Sequence, residues 1–214
     1  IGSNIANIAL VFGLTLAVLF FKKEYFVAQN DIKTNLILLI LSTIVIWAVM
    51  YVELFHFYSS IFLLFCLLVV LIIWYKTNTG FETDTQESKE NFLILKLISS
   101  LGFLVLSAWL ITKGALNILD SFGVGEMFVG FTVLAFGTSL PEIAASLALA
   151  LKGRYETVAG TLIGSNIFNG LFVLAIPGLF RPSYEFVYTE WIPILVVLLF
   201  VTMIFCIYIF SRIK

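Results

Sequence analysis

Seven almost uncharged apolar runs, each close to the length of a bilayer crossing, decide most of what this chain can fold into. They cover residues 1–21, 34–52, 57–75, 97–112, 127–151, 157–180 and 191–211. A transmembrane helix needs roughly 20 apolar residues. The fourth run is short, but Lys96 and Lys113 flank it and can snorkel to the two interfaces. Lipid tolerates only helices or closed barrels, and these runs are too long and continuous for barrel strands. The expected fold class is therefore an all-α polytopic membrane protein with seven transmembrane helices. Trp74, Tyr75, Tyr188 and Trp191 fall at run ends, as interfacial aromatics do.

Composition agrees. The 214 residues are 61% hydrophobic and 12% charged, and mean hydropathy is +1.10, against about 25% charged in soluble domains. A net charge of −1 without a basic stripe excludes a nucleic-acid partner. Cys66 and Cys206 are too few for a disulfide framework and read as packing residues. His56, the single histidine, reads as a surface residue of a short loop.

Seven crossings place ten basic residues on one side: Lys22, Lys23, Lys33, Lys76, Lys89, Lys96, Lys152, Arg154, Arg212 and Lys214. Only Lys113 and Arg181 fall on the other. The positive-inside rule makes the first side cytoplasmic, so loops 22–33, 76–96 and 152–156 are expected there. The polar, acidic stretch 76–96 reads as a linker between two halves, 1–75 and 97–214.

Those halves share a motif. Ile1-Gly-Ser-Asn-Ile-Ala-Asn7 returns 162 residues later as Ile163-Gly-Ser-Asn-Ile-Phe-Asn169, with one difference in seven. The copies fall on the first and the sixth crossing, so they traverse the membrane in opposite senses. Inverted repeats of this kind characterise secondary transporters that bind substrate near the bilayer midplane.

Of 12 basic and 13 acidic residues, only Glu142 lies well inside an apolar run. Burying a carboxylate there costs at least ~2.5–3.5 kcal/mol, which makes it a candidate site. The plain alternative is a protonated glutamate bonded to a neighbouring helix. Thr138 and Ser139 precede Glu142 by four and three residues, so all three share a helix face. Pro141 has no amide hydrogen to offer the carbonyl of Gly137, and Gly137 eases a bend; loosened backbone is expected there. Ser165 and Asn169 form an i, i+4 pair in the second copy of the motif, and Ser3 and Asn7 repeat it in the first. Interhelical hydrogen bonding is the alternative role for these four. A carboxylate, hydroxyls, amides and loose carbonyls are hard oxygen donors, suited to Na⁺ or Ca²⁺. Asn4 and Asn166 fall off that face and read as structural. Gly160 with Gly164, and Ala144 with Ala148, are spaced for close packing of the fifth run on the sixth. Neither a phosphate-binding loop nor a Ser/His/Asp set is evident, so an enzyme and an organic cofactor are not expected.

Gly137-Thr-Ser-Leu-Pro-Glu142 followed by Gly164-Ser-Asn-Ile-Phe-Asn169 resembles the second α-repeat of the cation/calcium antiporter superfamily, and is most similar to prokaryotic sodium/calcium exchangers. Gly2-Ser-Asn-Ile-Ala-Asn7 resembles the tail of the first α-repeat. The resemblance implies a ten-helix fold of which the seven runs are the third to the ninth. Residues 1–75 would then be the later part of the first inverted repeat, and 97–214 the second repeat without its last helix. It implies that Glu142 bridges a Ca²⁺ site and neighbouring Na⁺ sites. Oxygens would come from Thr138, Ser139, the carbonyl of Ala135, Ser165, Asn169, Ser3 and Asn7. Position 169 is Asn where many relatives carry Asp. A Thr-Ser-x-Pro-Glu helix is expected about 23 residues ahead of Ser3, by analogy with the spacing from Glu142 to Ser165; function would require those further helices. The resulting expectation is Na⁺/Ca²⁺ antiport in a prokaryotic cell membrane, with Ca²⁺ and Na⁺ as transported ions and the bilayer as partner. The alternatives are H⁺-coupled exchange of Ca²⁺ or another divalent cation, and a non-transporting scaffold or fragment.

Overall fold

A computed structural model describes residues 1–26, 32–51, 57–77, 93–122, 134–180 and 188–213. Helix α1 covers Gly2–Lys22, α2 Ile32–Tyr51, α3 Phe57–Thr77, α4 Leu93–Phe122, α5 Ala135–Leu151, α6 Tyr155–Phe180 and α7 Tyr188–Ser211. Among the described residues five stretches are long and apolar enough to cross a membrane: α1, α2, α3, α6 and the Trp191–Ser211 part of α7; α5 is a shorter apolar helix. Most boundaries lie within a few residues of the apolar runs. The exception is α4, 30 residues long where 97–112 was expected. Lys96, Lys113 and Asp120 all sit inside it, because helical hydrogen bonding does not stop where hydropathy does. Residues 127–133, His56, Arg181 and residues 78–92 of the linker, Lys89 among them, lie outside the described residues, as does the side chain of Tyr188.

The two motif-bearing helices, α1 and α6, cross at the centre. Helix α5 packs on both, α2 packs on α6 and α7, α7 packs on α1, and α3 covers the end of α6. Leu162, Ile163 and Ile167 of α6 and Val11 of α1 are within 1% of complete burial, while Phe20 and Phe21 at the end of α1 are over 80% or about 80% exposed. Apolar side chains turned outward fit a lipid surround.

The sense of the repeat can be read from contacts across the crossing. Ser3 meets Asn169, Asn7 meets Ser165, and Glu24 meets Tyr155. One residue number rises as the other falls, so α1 and α6 run antiparallel, as an inverted repeat requires.

One end of the molecule collects the basic residues. Helix α1 ends with Lys23 in the left-handed region (φ 55), and the amides of Lys23 and Glu24 bond the carbonyls of Phe20 and Leu19. Helix α5 ends the same way, with Gly153 (φ 74) at the equivalent place and Arg154 bonded to Leu149. These are Schellman closures lying side by side. The Lys22 ammonium donates to the Leu151 carbonyl at 2.6 Å, and the Tyr155 hydroxyl to Glu24 at 2.5 Å. Nearby, Lys33 lies over Phe210, and Trp74 bonds Asn35 at 2.9 Å. Lys22, Lys33, Lys76, Lys152, Arg154 and Arg212 therefore share one face. A cation on the last carbonyls of α5 also opposes the negative end of its dipole. Lys22→Met is expected to lower stability by about 0.3–1 kcal/mol, a loss that shrinks at high salt; a thermal melt in detergent at two ionic strengths measures it.

Candidate cation site at the helix crossing

Each copy of the repeated motif folds the same way. Helix α1 is α-helical over Gly2–Ala6, passes through one π turn at Asn7–Val11, then resumes as α-helix at Phe12. Helix α6 is α-helical to Phe168, has a π turn at Asn169–Val173, and resumes at Ala175. The two π turns sit 162 residues apart, as the motifs do. A π turn shifts the backbone register and loosens the carbonyl ladder, and such turns recur at functional sites. The expected loosening was at Gly137 and Pro141 instead. There α5 stays helical throughout.

The side chains that open these turns interlock reciprocally. The Asn7 amide donates to the Ser165 hydroxyl at 3.3 Å, and the Asn169 amide to the Ser3 hydroxyl at 3.5 Å. The two bonds are images of each other under the two-fold relation between the repeats. Both are long, at the outer limit for a hydrogen bond. Between them the Asn4 amide donates to the backbone carbonyl of Asn166 at 3.0 Å. Asn166 turns its own amide back to Leu162 at 2.7 Å. Asn4 and Asn166 thus hold structural positions, as their place on the helix suggests.

Acceptors outnumber donors here. The side-chain oxygens of Asn4, Asn7 and Asn166 are buried and receive no hydrogen bond from the described residues. A buried unpaired acceptor costs about 1–3 kcal/mol. The oxygen of Asn7 lies among the gathered groups and is available to a cation, whereas those of Asn4 and Asn166 belong to the residues that tie the two helices.

Helix α5 completes the cluster on one side. Its buried stripe is Ala135, Ser139, Ser146 and Ala150, and the Ser139 hydroxyl donates to the backbone carbonyl of Ser3 at 3.5 Å. Ser139 is therefore at the crossing. Glu142, one turn on at the edge of this stripe, is half-buried. Thr138 is exposed, and its hydroxyl is turned back onto the carbonyls of Leu134 (2.8 Å) and Ala135 (3.2 Å). The structure thus gathers Ser3, Asn7, Ser139, Ser165 and Asn169. It places Ala135 on the facing stripe and Glu142 at its rim, with Thr138 turned away.

Depth follows from helix rise. At 1.5 Å per residue, Glu142 lies about 14 Å from the Leu151 end of α5, and Asn7 about 22 Å from the Lys22 end of α1. Within a hydrocarbon core roughly 30 Å thick, both are far from the basic face. Among the described residues no three His, Cys, Asp or Glu side chains cluster, so the donors are chiefly neutral oxygens.

Two glycines act by close approach. A Cβ on Gly137 would lie 2.5 Å from Cγ2 of Ile111 in α4, and one on Gly170 would lie 2.3 Å from Cδ1 of Ile46 in α2. Gly137 thus admits a neighbouring helix, where a bend was expected. The spacing of Gly160 and Gly164 is misleading: a Cβ on either meets no described atom within 4 Å, and Ala144 and Ala148 are exposed. The α5–α6 contact does not run through those pairs.

Equivalent roles for the two half-sites make a simple prediction. Ser3→Ala and Ser165→Ala each remove one hydroxyl related by the two-fold. Each is expected to raise the midpoint of cation binding by a similar factor, about threefold to tenfold for one lost oxygen contact of ~1 kcal/mol. Cation-induced thermal stabilisation of the two variants measures this.

Comparison with known proteins places these features. The family described as sodium/calcium exchanger protein matches residues 92–214. The chain is 34% identical over 194 residues to CaxA of Alkalimonas amylolytica, an alignment covering 86% of this chain and 60% of that protein. It is 39% identical over 92 residues to the sodium/calcium exchanger MaX1 of Methanosarcina acetivorans, covering 43% of this chain and 26% of that one. A solved structure of the sodium-calcium exchanger NCX_Mj, soaked with Na⁺ and Sr²⁺, superposes with a TM-score of 0.69 and 27% identity, over 97% of this chain and 66% of that chain. The chain spans about 60% of the length of CaxA.

Proposed function

This chain belongs to the sodium/calcium exchanger family, and on that premise we propose that the protein exchanges Na⁺ for Ca²⁺ across a membrane through one cation site at the α1–α6 crossing. The observation that carries this reading is the reciprocal pairing of Asn7 with Ser165 and of Asn169 with Ser3, with the buried Asn7 amide oxygen left without a donor among the described residues. Long side-chain bonds of this kind release readily to an incoming ion.

In this reading Glu142 supplies the negative charge. Ser3, Asn7, Ser139, Ser165 and Asn169 supply neutral oxygens, with the Ala135 carbonyl. Thr138 joins them once its hydroxyl leaves the Leu134 carbonyl. A single carboxylate region cannot neutralise Ca²⁺ and several Na⁺ together, so one species leaves before the other binds. Residues 1–75 and 97–214 act as the opposed repeats whose relative movement alternates access to the site. The face bearing Lys22, Lys152 and Arg154 is cytoplasmic, by the excess of basic residues there, and the membrane is the prokaryotic cell membrane. The protein moves ions without making or breaking covalent bonds and needs no organic cofactor.

The test is ion flux in vesicles holding the protein expressed from its complete gene. Uptake of radiolabelled Ca²⁺ is expected to require an outward Na⁺ gradient and to stop when K⁺ replaces Na⁺. Uptake that ignores Na⁺ and follows a pH gradient transfers the reading to H⁺-coupled exchange. Absence of Ca²⁺ movement under both gradients leaves a non-transporting membrane protein.

A further inference from the structure

The polar bonds at the crossing are of two kinds, and the difference points to a role for Asn4. The Ser/Asn bonds join side chain to side chain at 3.3 and 3.5 Å. The bond from Asn4 joins a side chain to a backbone carbonyl at 3.0 Å, and both residues are at least 96% buried. A side chain can leave its partner without moving a helix. A mid-helix carbonyl cannot move unless α6 moves with it. The first kind suits groups that part to admit an ion; the second fixes one helix against another.

Asn4 is also enclosed by its surroundings. Its amide nitrogen lies 3.6 Å from where a Cβ on Gly170 would stand, beside Ile46 of α2. The absence of a side chain at position 170 leaves room for both the amide and the tip of Ile46, which is 2% exposed. Asn4 stands between Ser3 and Asn7 in α1, and Asn166 between Ser165 and Asn169 in α6. The bond therefore sets the separation of the two half-sites.

We propose that Asn4 is a positioning residue: by tying α1 to the Asn166 carbonyl it holds the paired Ser3/Asn7 and Ser165/Asn169 oxygens at the spacing that cation binding needs. This rests on the exchange reading above.

Asn4→Leu keeps the branched shape and heavy-atom count of the side chain and removes the bond. In protein from the complete gene, the Ca²⁺ midpoint for thermal stabilisation and the KM for Ca²⁺ uptake are expected to rise about fivefold to tenfold, as the loss of one buried hydrogen bond does. The kcat per folded molecule should stay within about twofold of wild type, because the liganding groups remain. Ser42→Ala is the comparison: it deletes a hydroxyl equally buried and bonded, among the described residues, to Leu39 of its own helix, and it should leave the midpoint unchanged. A purely structural role for Asn4 would lower the yield of folded protein without moving the midpoint. If Asn4→Leu does not fold, Asn4→Ser, too short to reach the carbonyl, carries the same expectation. A midpoint within about twofold of wild type, or an equal rise in Ser42→Ala, overturns the positioning role; twofold is under half a kcal/mol. Wild-type protein that neither moves Ca²⁺ nor is stabilised by it overturns the exchange reading instead.

Discussion

Glu142→Gln is expected to abolish Na⁺-driven Ca²⁺ uptake, by at least about 100-fold, while leaving the protein folded. Glutamine keeps the size of the side chain and one oxygen, so packing at the rim of the α5 stripe is preserved. What it removes is charge. The other groups at the crossing, Ser3, Asn7, Ser139, Ser165 and Asn169, are all neutral. A divalent ion moved to mid-bilayer depth without an anionic partner faces a desolvation penalty of several kcal/mol, and a 100-fold loss needs only about 2.7 kcal/mol. Stability should move the other way. A carboxylate held within a membrane span costs at least ~2.5–3.5 kcal/mol, so the glutamine variant is expected to melt at or above wild-type temperature in the absence of Ca²⁺. Measuring uptake and melting on the same preparation separates a lost site from a lost fold. Uptake retained above half the wild-type rate would remove Glu142 from the site.

Gly170→Ala is expected to destabilise the protein by about 1–3 kcal/mol, the usual range for overpacking a core, and Ile46→Val is expected to restore much of that loss. The added Cβ would stand 2.3 Å from Ile46 Cδ1, far inside contact distance, and 3.3 Å from Cγ1. Ile46 is 2% exposed and has little room to withdraw. Valine lacks the Cδ1 atom that collides, so the double variant should pack where the single one cannot. Alone, Ile46→Val loses one methyl and about 0.5–1.5 kcal/mol. A double-mutant cycle on melting temperature in detergent reads the coupling. Additive losses, with Gly170→Ala/Ile46→Val worse than either, would show that the two helices do not meet at this point. Asn4 lies at the same contact, so the single variant should also weaken Ca²⁺ binding.

Particular residues show how much could be read in advance. The apolar runs located α1, α2, α3 and α6 to within a few residues, because span length is set by bilayer thickness and not by partners. The seven-residue repeat gave the antiparallel relation of α1 and α6, since the parity of intervening crossings fixes direction. Ser3, Asn7, Ser165 and Asn169 were identifiable as one group because the motif repeats them. Helix α4 was underestimated because charged residues end a hydropathy window without ending a helix. The glycine pairs misled because i, i+4 spacing permits close packing without requiring it. Ile111 and Ile46, the residues that define the tight contacts, carry no signal of their own.

Sequence by itself determined that the chain is a helical membrane protein with two inverted, motif-bearing helices and one carboxylate set well inside an apolar run. Those properties depend on composition and order along the chain. Tertiary structure alone decided that the helix irregularity falls at Asn7 and Asn169 and leaves Pro141 in regular helix, and that Asn4 ties to Asn166 while the Ser/Asn pairs stay loose. Where a helix shifts register, and which amide meets which carbonyl, follow from how α1, α5 and α6 press on one another. That pressure exists only once residues 162 positions apart are brought to the same depth.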